Sequence, residues 1–233
     1  KLKTNSYTDE GNQFNTPSGV ANAPLPSIGK LNVYRLLASE HFYTTSLAER
    51  DAVIKAGWVY EGAAFSASAT PNDNPLYRIN IGEHFYTSSQ GERIAIIGSG
   101  GIDEGIAWYA SEDQVIFRVN GTEHFYTASI TELFALTKGN KWFYEDLLSG
   151  KYIDGKTPVF RLNKNEHLYT TNIKEAVSLL QSGWVYEGVG WYASANTDKP
   201  VYRLNGSEHF FTANAEEKDL LIQSGWVYEG VGW

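Results

Sequence analysis

Three patterns of apolar and polar residues follow one another along the chain, in the same order, five times. The first is a short apolar run ending at or next to an arginine: VYRL, LYRI, IFRV, VFRL and VYRL. A few turn-forming residues lead to the second run, EHFYT, at Glu40 to Thr44, Glu83 to Thr87 and Glu123 to Thr127. It returns with one change as EHLYT (Glu166 to Thr170) and EHFFT (Glu208 to Thr212). Two short β-rich runs about a tight turn predict a hairpin.

Helical spacing begins after each second run. Ser46, Ser89, Ser129, Asn172 and Asn214 are each followed three residues later by Glu49, Glu92, Glu132, Glu175 and Glu217. A Ser or Asn that accepts from the amide three residues on, answered by a Glu reaching back, is a capping box, so a helix starts at each. Apolar residues recur at helical period, as at Ile173, Val177 and Leu180, and Gly57, Gly183 and Gly225 stand where a left-handed residue would close the helix after about ten residues. The period then returns to two in WVYEGAAF, WVYEGVGWYA and WVYEGVGW, which predicts a third strand.

The unit is therefore ββαβ, and the fold class is an α+β repeat protein. The histidines at 41, 84, 124, 167 and 209 set units of about 42 residues. The unit boundaries are 32–74, 75–114, 115–157, 158–199 and 200–233, forming one five-repeat domain. Units this small must stack or close. Neither end carries a polar capping unit, and an open array would leave aromatic faces in water, so the expectation is a propeller-like, pseudo-fivefold closed ring.

Composition narrows the function. A net charge of −8 with no Lys or Arg run argues against nucleic acid. No apolar stretch is long enough to span a membrane as a helix. The absence of cysteine excludes disulfides, zinc-thiolate sites and thiol nucleophiles. Residues 1–31 are rich in Pro, Gly, Ser, Asn and Ala without a sustained period and read as a linker or N-terminal arm. With no methionine in the chain, they suggest a processed product or a piece of something longer.

Every histidine sits in the EHFYT word, six residues after an arginine: Arg35 and His41, Arg78 and His84, Arg118 and His124, Arg161 and His167, Arg203 and His209. A single catalytic centre would need one copy. Sameness in all five favours a structural joint with neighbouring glutamates, with direct ligand binding as the alternative. The later glutamates Glu61, Glu104, Glu145, Glu187 and Glu229 persist as well.

The third strand is less uniform. Unit 2 writes GGIDEG where the others carry Trp and Tyr, and unit 3 departs after Tyr144. A binding surface tolerates such loss more readily than a structural element does. Trp58, Tyr60, Trp184, Tyr186, Trp226 and Tyr228, with Trp108, Trp191, Tyr109 and Tyr192 further along the strand, are accordingly the ligand candidates. Aromatic faces with polar edges suit the CH faces of sugars. A place in the core is the competing role for each. No HExxH, GxSxG or phosphate-loop motif is present, and YIDGK (Tyr152 to Lys156) reads as a turn rather than a calcium loop. No metal site, cofactor or catalytic pair is expected.

VYRL, EHFYT, a capped helix and GWVYEGVGWYA together resemble a repeat found C-terminal to catalytic domains of secreted bacterial cell-wall hydrolases, such as enterolysin-like bacteriocins and phage endolysins. The resemblance covers Asn32 to Trp233. It implies a non-catalytic, secreted cell-wall-binding module at the bacterial surface, with an upstream catalytic partner and peptidoglycan or wall glycan as ligand. The acidic balance favours a neutral polymer over teichoic acid. A free-standing lectin or adhesin, or an unrecognised glycan hydrolase, are the other readings. The losses in units 2 and 3 leave units 1, 4 and 5 as the main sites.

Overall fold

The computed structural model describes residues 26–139, 141–149, 156–194 and 199–233. Most of the linker segment, residues 1–25, and Tyr152 to Gly155 of the YIDGK turn lie outside them. Within the described residues the ββαβ order is written five times. Unit 1 is β1 (Lys30–Leu37), β2 (His41–Thr44), α1 (Leu47–Lys55) and β3 (Val59–Ser68), and unit 2 is β4 (Pro75–Asn80), β5 (His84–Thr87), α2 (Gln90–Gly98) and β6 (Ile102–Ala110). Unit 3 is β7 (Ile116–Asn120), β8 (His124–Thr127), α3 (Ile130–Thr137) and β9 (Phe143–Ser149). Unit 4 is β10 (Lys156–Asn163), β11 (His167–Thr170), α4 (Ile173–Gln181) and β12 (Val185–Ser194), and unit 5 is β13 (Tyr202–Asn205), β14 (His209–Thr212), α5 (Ala215–Gln223) and β15 (Val227–Val231). Among the described residues, no helix is long and apolar enough to cross a membrane.

In every unit the first strand is central, with the second strand on one edge and the third on the other, all antiparallel. Strands β3 and β6 also pair through Ala67–Ala110 and Ser68–Tyr109, which merges units 1 and 2 into one six-stranded sheet; units 3, 4 and 5 keep three-stranded sheets.

The helix starts differ from a full capping box. The Ser or Asn side chain accepts from the amide of the Glu three residues on, in all five units. The amide of the cap residue itself, however, donates to the threonine hydroxyl that ends the EHFYT word: Thr44, Thr87, Thr127, Thr170 and Thr212. That threonine satisfies the donor the glutamate would otherwise reach. The carboxylate is left free to point away from its own helix.

A bulge in each third strand sets the next element. Arg35 faces Gly62 and Leu36 faces Tyr60, so Glu61 is the extra residue. The glycine that follows it sits at φ +110°, a conformation other residues seldom adopt. Arg161 opposite Gly188 and Arg203 opposite Gly230 repeat the arrangement. The Glu-Gly pair in the sequence therefore encodes a bulge that swings the carboxylate onto the arginine: Arg35 Nε lies 2.7 Å from Glu61 Oε2.

Units 1 to 3 meet around three tyrosines, Tyr43, Tyr86 and Tyr126, each fully buried. Their ring centroids are 5.7, 5.2 and 5.4 Å apart, all edge-to-face. The hydroxyl of Tyr86 accepts from the Tyr43 amide at 3.0 Å, that of Tyr126 from the Tyr86 amide at 2.8 Å, and that of Tyr43 from the Tyr126 amide at 3.1 Å. Each phenol thus satisfies the outward amide of a neighbouring edge strand, and the circuit returns to its start after three units.

The fivefold ring expected from the sequence is not shown. The closing bonds run from unit 3 back to unit 1, and unit 4 meets unit 3 through helices, with Phe134 of α3 against Phe160 (5.4 Å) and Tyr186 (4.6 Å). The repeat count does not set the closure number: the angle between successive units decides closure, and here three steps complete the turn.

Tyr86→Phe removes a buried hydroxyl that bonds both the amide and the carbonyl of Tyr43. Urea unfolding should show a loss of about 1–3 kcal/mol, against less than about 0.5 kcal/mol for Tyr169→Phe, whose phenol stands at the half-buried edge of unit 4.

Candidate functional site

The repeated Arg, Glu and His side chains converge at the junctions between units. At the junction of units 1 and 2, Glu40 bonds both the backbone amide and Nδ1 of His84, the latter at 2.9 Å. Glu49, freed from its own helix start, grips Arg78 with two bonds of 3.2 and 3.0 Å. The same pairings join Glu83 to His124 and Glu92 to Arg118 at the next junction. Glu123 to His41 and Glu132 to Arg35 then carry them from unit 3 back to unit 1.

Adjacent Glu and His in one word therefore face two different neighbours, the glutamate forward and the histidine back. Each arginine of units 1 to 3 lies between two carboxylates, one from its own bulge and one from the preceding unit of the circuit, and rests on that unit's phenylalanine: Arg78 over Phe42 at 5.0 Å, Arg118 over Phe85 at 4.7 Å, Arg35 over Phe125 at 4.8 Å. The histidines pack edge-on against the same rings at 4.7 to 4.8 Å. Units 4 and 5 form one such junction, with Glu175 on Arg203 and Glu166 on the amide of His209, and Leu168 replaces the phenylalanine.

Electrostatics follow the geometry. Burial works against the charged form of Glu49, Glu92 and Glu175, but the arginine and threonine bonds outweigh it and hold all three carboxyls below the ordinary value of 4.5. Burial also pushes the Tyr43, Tyr86 and Tyr126 phenols well up, so they stay neutral donors.

The aromatic candidates are placed elsewhere. Trp58 packs on Phe42 and Trp226 on Phe210, each at 5.9 Å, wedged between hairpin and third strand. A side chain at the hairpin glycine Gly206 would meet the Trp226 indole at 2.6 Å, so the turn and the indole are in direct contact. Tyr60 lies against Tyr34, Trp184 and Tyr186 line the core between units 3 and 4, and Trp108 is buried against Tyr86. These residues are half-buried or buried, and only Trp191, Tyr192 and Tyr228 stand well exposed. In unit 2, methyls of Ile79 and Ile96 lie 2.9 and 2.8 Å from where a Cβ on Gly101 would be, so branched side chains take the indole's place beside an open groove of about 560 Å³.

Sequence reasoning passed over the three buried tyrosines, the phenylalanines beneath the arginines and the outward role of the helix-start glutamates. All lie inside the repeated word or its cap, so the signal was the repetition itself. Among the described residues, no group of three or more His, Asp and Glu is placed to hold a metal ion.

A family model described as "Domain of unknown function (DUF5648)" matches residues 1–111 and again 114–233. Its division falls between units 2 and 3, inside the three-unit circuit. No curated protein and no solved structure matches the chain.

Acidification tests the junctions. Carboxyls depressed in the folded state give their stabilisation in full above the ordinary value of 4.5 and lose it as pH falls through the folded value. Stability should therefore drop steeply below about pH 4.5. Glu92→Gln should cost about 1–3 kcal/mol at pH 7 and flatten that drop, whereas Glu217→Gln, with no arginine partner among the described residues, should do neither. Equal effects of the two variants in pH-dependent unfolding would contradict this assignment.

Proposed function

Because the chain belongs to this family of unknown function through both matched segments, we propose a role read from its surface: a non-catalytic module that attaches to bacterial cell-wall polymer. The observation that carries the reading is the residue after the Trp position. It is Val59, Ile102, Phe143, Val185 and Val227 in the five units, apolar every time and between 55% and 67% exposed. In units 1, 3, 4 and 5 it adjoins an indole that is only half-buried.

A lone exposed valine on a strand needs no explanation. Five exposed apolar residues at one position, four of them beside an accessible aromatic edge, make a shallow apolar patch that recurs along the chain. Such a patch suits the CH face of a sugar ring, while hairpin-turn and bulge polar groups can meet hydroxyls. Individually weak patches on one chain combine through effective concentration on a repeating polymer. The acidic balance of the chain favours a neutral glycan or peptidoglycan.

The resemblance to repeats that follow wall-hydrolase catalytic domains supports the same reading. In it the protein is secreted, acts at the bacterial surface and concentrates an upstream catalytic domain on its substrate. No reaction is assigned to this chain, and no cofactor.

Co-sedimentation with peptidoglycan stripped of teichoic acid, with intact Gram-positive cells and with unrelated insoluble glycans tests the proposal. The wild-type chain should pellet with stripped wall, and Val59→Ser/Val185→Ser/Val227→Ser, checked for native stability, should bind at least about tenfold more weakly. Absence of wall binding, or equal binding by the folded variant, would overturn it.

A further inference from the structure

Units 4 and 5 hold one of the three junctions that units 1 to 3 complete. On the receiving side of unit 4, Arg161 bonds, among the described residues, only Glu187 of its own bulge, and its side chain is 44% exposed, against 8 to 18% for the arginines of units 1 to 3. His167 is 47% exposed, and its Nδ1 meets no carboxylate among the described residues. On the giving side of unit 5, among the described residues, Glu208 makes no ion pair and the Glu217 carboxylate accepts only from Thr212.

Between these two edges lies an aromatic cluster. Tyr169 and Trp191 are 4.9 Å apart, Trp191 and Trp233 5.2 Å, and Phe211 and Trp233 5.3 Å. The equivalent positions in units 1 and 2, Tyr43, Phe65, Tyr86 and Trp108, are all buried. What buries them there is unit 3. The surface on units 4 and 5 is thus an unfinished form of a joint whose finished form is present in the same molecule.

The step from unit 4 to unit 5 uses the bonds of the completed circuit, with Arg203–Glu175 at 2.8 Å against Arg78–Glu49 at 3.0 Å. A circuit with this step closes at three, so one place is open. We propose that the open edge of the unit 4 and unit 5 pair is a docking surface for one further ββαβ unit of this same repeat. Its arginine and histidine receive Glu217 and Glu208, while its helix-start glutamate and the glutamate before its histidine reach Arg161 and His167. Charge complementarity specifies the occupant: a unit with that Arg, Glu-His and cap-Glu set meets all four groups. A second copy of the pair would bring two units to a place for one.

The test extends the full chain by appending a copy of residues 66–111 after Trp233, which reproduces the link and the unit that follow Phe65 in the native order. Hydrogen exchange of the 166–172 segment, followed by mass spectrometry, should slow at least tenfold in the extended chain. It should return to the rate of the unextended chain when Glu208 and Glu217 are both changed to Ala. Unchanged exchange in the extended chain would overturn the proposal. So would a concentration-dependent dimer of the unextended chain that protects 166–172, or protection of that segment by soluble wall-glycan fragments.

Discussion

The guanidinium of Arg78 lies between Glu104 of its own unit and Glu49 of the preceding one, with Phe42 beneath it. A cation in that position stays satisfied only if both carboxylates arrive, and each depends on a separate local device. The bulge at Glu104 and Gly105 delivers one; the threonine that takes over the helix cap releases the other. Loss of either device leaves a largely buried charge with half its partners, a costly state. The junction therefore couples the local geometry of two units.

That coupling is what a unit of about 40 residues needs, since so small a core is marginal alone. The buried area that stabilises units 1 to 3 lies where they meet, around Tyr43, Tyr86 and Tyr126 and the residues packed on them. Their hydroxyls also cover the outward amides of the second strands, edges that would otherwise invite pairing with other chains. Ionic and aromatic contacts act on one interface: the carboxylates orient each unit, and the tyrosines fill the centre that this orientation creates.

Much of the single unit was legible. The hairpin, the Ser or Asn cap, the closing glycine and the third strand all stand where the hydrophobic periods place them, because each is set by contacts within a few residues. Assembly was not legible from repetition alone. EHFYT specifies the same bond to a neighbour in every copy, and nothing in the word states the angle of the step. Differences between copies did carry information. Units 1 to 3 begin their helices with Ser46, Ser89 and Ser129, units 4 and 5 with Asn172 and Asn214, and only the latter pair changes the EHFYT word, at Leu168 and Phe211. The Trp-x-Tyr motif was legible only as a pattern: period-two alternation marks which residues share a face, but not how far that face looks to solvent or to the unit's own helix, and here the indoles are half-buried.

Closure at three rather than five is the claim on which the account rests, and Glu123 decides it. In a circuit of three its carboxylate holds the backbone amide and ring of His41, 82 residues earlier; in a ring of five it would hold the next unit's His167. Amide and imidazole resonances of both histidines should be followed by nuclear magnetic resonance in the wild-type chain and in Glu123→Gln. With closure at three, the His41 amide and ring signals should shift while those of His167 stay in place. A shift at His167 with His41 unmoved would contradict it.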